Sequence, residues 1–164
     1  MTDGDAPSVH ATALALGMRG RVVGVLITGP SGAGKSMLAV TLIERARQGG
    51  RFARLVADDR TVLSVASGRL VARAPDRLAG LMEVRGLGIV EVERLPNCRI
   101  HAQVALVPSG SVERMPEPAS SEWEVDGTTV RLARLDVPAG MFEPAARLVE
   151  HWLAQVSRYE NMGS

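Results

Sequence analysis

The chain contains little cysteine, few aromatic residues and almost no net charge. Its single cysteine, Cys98, cannot form an internal disulfide, which favours a reducing compartment and predicts a cytoplasmic protein. Aromatic residues make up 3% of the chain and hydrophobic residues 46%, so we expect a core of aliphatic side chains. The net charge of +1 offers no bulk attraction to a polyelectrolyte, and we therefore expect no nucleic-acid partner.

Long apolar runs are absent as well. No stretch is long enough to cross a bilayer, and the N-terminus lacks the basic and apolar regions of a signal peptide, so we expect no membrane association. A length of 164 residues suits one domain, and no repeat or linker divides the chain. We interpret residues 1–9 as a flexible N-terminus, 10–156 as the folded domain and 157–164 as a C-terminal tail.

One stretch matches a phosphate-binding loop at every fixed position. The pattern is G-x-x-x-x-G-K-[ST], and the residues are Gly29, Pro30, Ser31, Gly32, Ala33, Gly34, Lys35 and Ser36. Residues 22–28 before it form the β-branched run of a buried parallel strand, and the apolar pattern after it predicts a helix that Gly49 and Gly50 can end. A glycine-rich turn matching by chance would rarely have both neighbours, so we favour a phosphate site.

The residue types in this loop suit a phosphorylated nucleotide. Glycines at positions 29, 32 and 34 let successive N–H groups point toward the phosphates, and the following helix adds its positive end. Lys35 can reach the β- and γ-phosphate oxygens, and the Ser36 hydroxyl can ligate Mg²⁺. The sequence therefore predicts that the chain binds a phosphorylated nucleotide or a compound of similar shape.

Two acids follow the next apolar strand. Asp58 and Asp59 end the segment 54–59, and the carboxyl ends of parallel strands line the ligand crevice of an α/β sheet. A carboxylate there can hold Mg²⁺ through water or accept a proton from an attacking hydroxyl. The alternative is an acidic turn at the end of a strand, and the loop upstream makes us favour the functional interpretation.

Two further groups are weaker candidates. His10 lies in a predicted edge strand over 9–16 and could serve the phosphate site, although a surface or structural histidine is the commoner case. Glu83 and Arg85 lie in the segment 83–90, which glycines interrupt at two positions. An arginine fork can stabilise charge on a transferring phosphoryl group, and an acid can support Mg²⁺ or orient the arginine. A salt-bridged turn would have the same spacing.

The remaining patterns define the fold class. They predict hairpins over 61–72 and 124–135, a short helix from Pro75 through Met82, a core strand over 100–107, a surface loop over 108–121 and an amphipathic helix over 144–156. The core strand carries His101, which we interpret as structural, and lacks the terminal acid of a usual magnesium strand. We therefore predict an α/β fold, with a P-loop-containing core sheet, flanking helices and additional β-hairpins.

In combination, these segments resemble HPr kinase/phosphorylase. The similarity is to its catalytic C-terminal domain, in the short form of proteobacteria, and covers residues 10–155. The family shares the order seen here, in which the phosphate loop is followed by Leu55-Val56-Ala57-Asp58-Asp59 and then by Glu83-Val84-Arg85-Gly86-Leu87-Gly88-Ile89. The last two segments are far more specific than the loop, which many unrelated nucleotide-binding proteins share.

The resemblance implies a protein serine kinase that uses Mg²⁺ with ATP, or with pyrophosphate in some members. Its substrate is the phosphocarrier protein HPr of the phosphotransferase system, and many members also remove the phosphate by phosphorolysis. The long members are hexamers, so the resemblance also implies a homo-oligomer.

The resemblance assigns roles to the candidate residues as well. Residues 29–36 would hold the phosphates, with Lys35 and Ser36 contacting phosphate and Mg²⁺. Asp58 would be the general base, supported by Asp59. The remaining implied roles are a magnesium-side acid for Glu83, a phosphate contact for Arg85, and a position near the transferring phosphate for His10.

Two departures from the family pattern bear on activity. The stretch between His10 and Gly29 is a few residues longer than the family predicts. Residues 137–142 also lack the basic residues of the late loop that the family uses in phosphorolysis. We therefore predict the kinase reaction more firmly than its reversal.

Two other functions remain as alternatives. A small-molecule P-loop kinase would carry a lid with several arginines, whereas the loop over 108–121 has only Arg114. A non-catalytic nucleotide-sensing module would not need a base, whereas Asp58 and Asp59 supply one.

Overall fold

The structure is a computed structural model that describes residues 7–75 and 81–159, without the side chains of 157–159. Its strands are β1 (Ser8–Val9), β2 (Ala11–Met18), β3 (Arg21–Thr28), β4 (Ala53–Ala57), β5 (Thr61–Ala66), β6 (Arg69–Arg73), β7 (Leu81–Val84), β8 (Gly88–Glu91), β9 (Asn97–Arg99), β10 (Ala102–Val107), β11 (Ala119–Val125) and β12 (Thr128–Pro138). The helices are α1 (Lys35–Gln48) and α2 (Phe142–Tyr159), and a 3-10 turn spans Ser109–Ser111. The predicted α/β class is confirmed.

A six-stranded sheet in the order β11-β12-β10-β3-β2-β4 forms the centre of the fold. β10 is parallel to both β12 and β3, whereas β2 is antiparallel to both β3 and β4. β4 therefore runs in the same direction as β3, and the carboxyl ends of these two strands lie at the same edge of the sheet. The loop after β3 and the acids after β4 are close together for this reason.

β2 is an interior strand, so the edge strand predicted over 9–16 is wrong in its position in the sheet. The strand is apolar on both faces, because leucines alternate with alanines along it. Leu14 and Leu16 pack in the cluster formed with the two helices, whereas Ala11, Ala13 and Ala15 face a second sheet. Burial on both faces suits an interior strand, and the small alanine face lets the second sheet approach closely.

Three layers result from this packing. The helices cover one face of the central sheet, where Leu38 and Leu42 of α1 meet Val149 and Leu153 of α2. A four-stranded sheet in the order β1-β5-β6-β9 covers the other face. The short hairpin of β7 and β8 packs against the helix side of the core through Met82.

Several local predictions are confirmed and others are corrected. Both hairpins are present, as β5–β6 and β11–β12. Leu81 and Met82 belong to β7 rather than to a short helix, because they pair with β8, while residues 76–80 lie outside the described residues. The loop predicted over 108–121 ends before Ala119, where pairing with β12 begins. β3 is parallel to a neighbour on one side only.

Gly24 in β3 lies where β9 and the segment after it cross the central sheet. A Cβ atom at this position would overlap the Arg99 carbonyl oxygen and the Cys98 sulfur. Its N–H donates to His101 Nδ1 at 3.0 Å, which supports a structural role for that histidine. Cys98 itself is buried, and burial raises the pKa of its thiol to about 11.

Glu150 of α2 forms ion pairs with α1 and with the segment that follows α1. Arg45 donates to Glu150 Oε2 at 2.8 Å, and Arg51 donates to Glu150 Oε1 at 2.6 Å. Burial by itself would raise the pKa of Glu150, but the hydrogen bonds from Arg51 and Arg45 outweigh burial, and the pKa is lowered. The carboxylate is therefore stabilised in its charged form between the helices.

Gly24→Ala should destabilise the fold, because the added methyl group would overlap the backbone of Arg99. We expect a loss of about 1–3 kcal/mol in the free energy of unfolding, measured by urea denaturation. Gly110→Ala is the control, since a Cβ there has no heavy atom within 4 Å. Equal stability of the two variants would contradict the assigned close approach.

Glu150→Gln should weaken the joint between the helices in a pH-dependent way. Because the pKa of Glu150 in the folded chain lies below its ordinary value of 4.5, its charge adds stability at neutral pH, and this contribution is lost as the pH falls through the folded pKa. We expect the variant to lose about 1.5–3 kcal/mol at neutral pH and to depend less on pH under acidic conditions. Unfolding in urea across a pH series measures both effects.

The matched control is Glu143→Gln, since Glu143 pairs with the same Arg45 at 3.0 Å but its side chain is 61% exposed. It should cost less than about 1 kcal/mol. Equal losses for the two glutamates would show that burial of the pair at Glu150 has no energetic consequence.

Candidate active site

The segment 29–36 connects β3 to α1 and has the backbone that close phosphate contact requires. Gly29, Gly32 and Gly34 have φ values of 150°, 79° and 97°, in the region that glycine favours. A Cβ at Gly34 would overlap the ring of Phe142, the first residue of α2. The loop therefore depends on glycine both for its turn and for the space beside α2.

The first turn of α1 leaves its backbone donors available. Gly34 is the N-cap residue, so no side chain caps the helix, and no acid lies in the first turn. Leu38 N–H makes the first helical bond, to the Gly34 carbonyl oxygen at 2.9 Å. The N–H groups before Leu38 combine with the positive end of the helix dipole to favour an anion at this position.

Lys35 is folded back over the loop. Its Nζ atom donates to the Gly29 and Pro30 carbonyl oxygens, at 3.0 Å each, and the residue is only 6% exposed. Burial lowers the pKa of Lys35, and the charges of Asp59 and Asp58 partly offset this effect. Lys35 is also the only lysine in the chain. Its ammonium group can serve phosphate oxygens without leaving the loop.

A bulge in β4 turns Asp58 toward this loop. The pairing of β2 with β4 shifts by one residue, so that Val56 is extra on β4. Leu55 packs on the helix side, whereas Val56 and Ala57 both face the second sheet. The alternation of side chains restarts after the bulge and places Asp58 on the helix side, where α1 begins.

Asp58 is bonded to the loop and to β2 through the same carboxylate oxygen. Ser36 Oγ donates to Asp58 Oδ1 at 2.7 Å, and Thr12 Oγ1 donates to it at 2.9 Å. Our reading of the sequence missed Thr12. The sequence does carry a signal for this residue, because Thr12 has a hydroxyl group whereas positions 14, 16 and 18 on the same face of the buried strand are apolar.

Asp59 lies beside His10. The two side chains are 3.0 Å apart, between Oδ1 and Nδ1, and are 67% and 46% exposed. Asp59 has a φ of 61°, so the backbone leaves the extended conformation directly after β4. The structure thus places His10, which precedes β2, at the same edge of the sheet as the phosphate loop.

Glu83 and Arg85 are not joined to this cluster. Both are exposed, Glu83 on β7 and Arg85 in the turn before β8. No hydrogen bond or ion pair connects either side chain to the loop within residues 7–75 and 81–156. Their roles in the site stay predictions.

The residues present fit a nucleotide phosphate with Mg²⁺. The loop offers backbone N–H groups and a lysine, the first turn of α1 carries no acid, and Asp58 lies one hydrogen bond from Ser36. Among the residues that the structure describes, no group of three or more acidic, histidine or cysteine side chains could hold a metal ion alone. Mg²⁺ commonly takes one or two protein ligands and completes its shell with water and substrate phosphates, which suits Ser36.

A glycine-rich loop between a strand and a helix, with a carboxylate bonded to its serine, is typical of α/β enzymes that transfer phosphoryl groups. Comparison with known proteins identifies the family. A model of the HPr Serine kinase C-terminal domain matches residues 8–162, and the chain belongs to this family.

Two curated relatives illustrate the similarity in sequence. HPr kinase/phosphorylase of Clostridium beijerinckii is 45% identical over 73 residues, which are 44% of this chain and 22% of that protein. HPr kinase/phosphorylase of Limosilactobacillus reuteri is 43% identical over 91 residues, which are 55% of this chain and 25% of that protein. The chain thus matches about a quarter or less of the length of these relatives.

A solved structure matches nearly the whole chain. The Hpr(Ser) kinase/phosphatase from Coxiella burnetii superposes with a TM-score of 0.70 at 25% identity, over 96% of this chain and 99% of that one.

The helices of the described residues were also compared with the length and hydropathy of a membrane span. Neither helix that the structure describes is long and apolar enough to cross a membrane.

Proposed function

We propose that the chain is an ATP-dependent protein serine kinase that phosphorylates the phosphocarrier protein HPr. The observation that carries this proposal is the 2.7 Å hydrogen bond between Ser36 Oγ and Asp58 Oδ1. It places a carboxylate directly beside the loop that would hold the transferring phosphate. Family membership and the names of the relatives supply the acceptor.

In the proposed reaction, the loop and Lys35 hold the β- and γ-phosphates and balance their charge. Asp58 takes the proton from the acceptor serine hydroxyl, the serine oxygen bonds to the γ-phosphorus, and the bond from that phosphorus to the bridging oxygen of ADP breaks. When bound, Mg²⁺ would supply further neutralisation of the developing charge. Positioning and electrostatic stabilisation thus account for catalysis, without a covalent intermediate.

The other candidates have supporting roles. We propose that Asp59, held by His10, adds negative electrostatic potential at the base, Asp58. We also propose that His10 lies near the transferring phosphate. Glu83 would act on the magnesium side and Arg85 on the phosphate, which requires the β7–β8 hairpin to reach the loop in the working enzyme. HPr docking or assembly into a homo-oligomer can bring this about, and both are part of the proposal.

Phosphorolysis is the second reaction of the family that the proposal includes, with pyrophosphate as an alternative phosphoryl donor. Val137 and Pro138 end β12, and Phe142 begins α2, so the segment between them is short and carries no basic side chain. A basic side chain would help to bind the attacking phosphate. We therefore expect reversal to be slower than the forward reaction.

The direct test is incubation with ATP, Mg²⁺ and HPr from the same organism, followed by mass spectrometry. We expect phosphoserine on HPr, and its loss on addition of inorganic phosphate would reveal phosphorolysis. Binding of nucleotide without transfer would point to another acceptor, such as a small molecule, or to a nucleotide sensor. Failure to bind any nucleotide would contradict the proposal.

Two variants separate binding from transfer. Lys35→Ala should lose nucleotide binding, whereas Asp58→Asn should bind ATP and lose at least about 100-fold in the transfer rate. Calorimetry measures binding, and phosphoserine formation measures transfer. Because Lys35 is the only lysine, an amine-reactive ATP analogue should label this single side chain, and ATP should protect it.

The control is Asp126→Asn, the same chemical change in the remote β11–β12 turn. It should leave both binding and transfer unaffected. If Asp58→Asn kept most of its transfer rate, Asp58 could not be the base.

A further inference from the structure

Thr12 is a buried hydroxyl on a face of β2 that is otherwise apolar. It is 0% exposed, and its helix-side neighbours along the strand are Leu14 and Leu16. A buried hydroxyl without a partner destabilises a fold, so the hydrogen-bond partner of Thr12 indicates why a hydroxyl is present on this face. The bond goes to Asp58 Oδ1, at 2.9 Å, from a strand 46 residues earlier in the chain.

The bond determines how the carboxylate is oriented. Oδ1 accepts from both Thr12 and Ser36, whereas no donor within the described residues reaches the second oxygen, Oδ2. Two donors on one oxygen fix the plane of the carboxylate and leave Oδ2 as the oxygen available to a substrate. A general base needs this arrangement, since the oxygen that takes the proton must be free and its direction fixed.

The two donors differ in what nucleotide binding demands of them. Ser36 belongs to the loop, and under the proposed function its hydroxyl is drawn to Mg²⁺ and the phosphates. Thr12 is fully buried in an interior strand between β3 and β4, and within the described residues its hydroxyl donates only to Asp58. Thr12 is therefore the donor that can keep Asp58 in place while Ser36 is engaged elsewhere.

We propose that Thr12 is a positioning residue that holds the Asp58 carboxylate with Oδ2 directed to the acceptor hydroxyl during transfer. This inference rests on the proposed function, because it concerns the same base. Because Thr12 is 0% exposed, it would not reach a substrate, and within the described residues its side-chain hydrogen bond goes to Asp58 and not to the phosphate loop. Its loss should therefore affect the transfer step and leave nucleotide affinity nearly unchanged.

The test compares Thr12→Val, which keeps the shape but removes the hydroxyl, with Thr12→Ser, which keeps the hydroxyl. Thr61→Val is the matched control, because Thr61 is also a 0% exposed threonine with one hydrogen bond, to the Ala11 carbonyl oxygen at 2.8 Å. For each variant we would measure kcat, the KM values for ATP and HPr, nucleotide affinity and thermal unfolding.

We expect Thr12→Val to lower kcat by about 10–100-fold, with KM for ATP and nucleotide affinity within about twofold of the wild type. Thr12→Ser should recover most of kcat, and Thr61→Val should retain it even if its melting temperature falls. In the Asp58→Asn background, Thr12→Val should have no further effect on transfer, because the base that it positions is already absent.

Several results would overturn the inference. They are an unchanged kcat in Thr12→Val, an equal loss of kcat in Thr12→Ser, and an equal loss in Thr61→Val. If Thr12→Val did not fold, Thr12→Ala would have to show the same selective loss of kcat, and its absence would count against the inference. A wild-type chain that binds ATP but transfers nothing to HPr would instead overturn the proposed function, and the role of Thr12 with it.

Discussion

One oxygen of Asp58 joins the three segments on which the candidate site depends. Ser36 contributes the phosphate loop, Thr12 contributes β2, and Asp58 itself follows β4. These bonds are possible because β2 runs antiparallel between β3 and β4, so that both outer strands end at the same edge of the sheet. The bulge at Val56 completes the arrangement by directing Asp58 to the helix side. A shift of one residue in that pairing would direct the carboxylate into the second sheet.

The loop is also constrained from the side of the helices. Phe142 packs against Gly34, and α2, which carries Phe142, is held on α1 by the ion pairs of Glu150. Both helices are further buried against the leucines of β2. The position of the phosphate loop is therefore set by core packing, and the polar groups of the site rest on an aliphatic scaffold. A phosphoryl-transfer site gains from this rigidity, since most of its catalysis comes from positioning.

Family membership and the geometry of the site support different parts of the proposed function. The superposition on the Coxiella burnetii protein covers 96% of the chain at 25% identity, so the fold is shared although most side chains differ. The acids, the loop and His10 lie together at one edge of the sheet, whereas Glu83 and Arg85 lie on an exposed hairpin. The part of the site that the isolated chain assembles is thus the region that we propose holds the phosphates and the base.

The sequence by itself determined the loop, the acids after β4 and the two hairpins, because glycine positions, apolar runs and the Ser-Gly and Asp-Gly turns act over a few residues. It did not reveal that β2 is interior, since an apolar strand reads alike at the edge and in the middle of a sheet until its neighbours are known. The helix predicted through Met82 does not include Leu81 and Met82, because their pairing with β8 outweighs local preference. Only the tertiary structure decided that Thr12 meets Asp58, because the antiparallel register and a bulge bring together residues 46 positions apart.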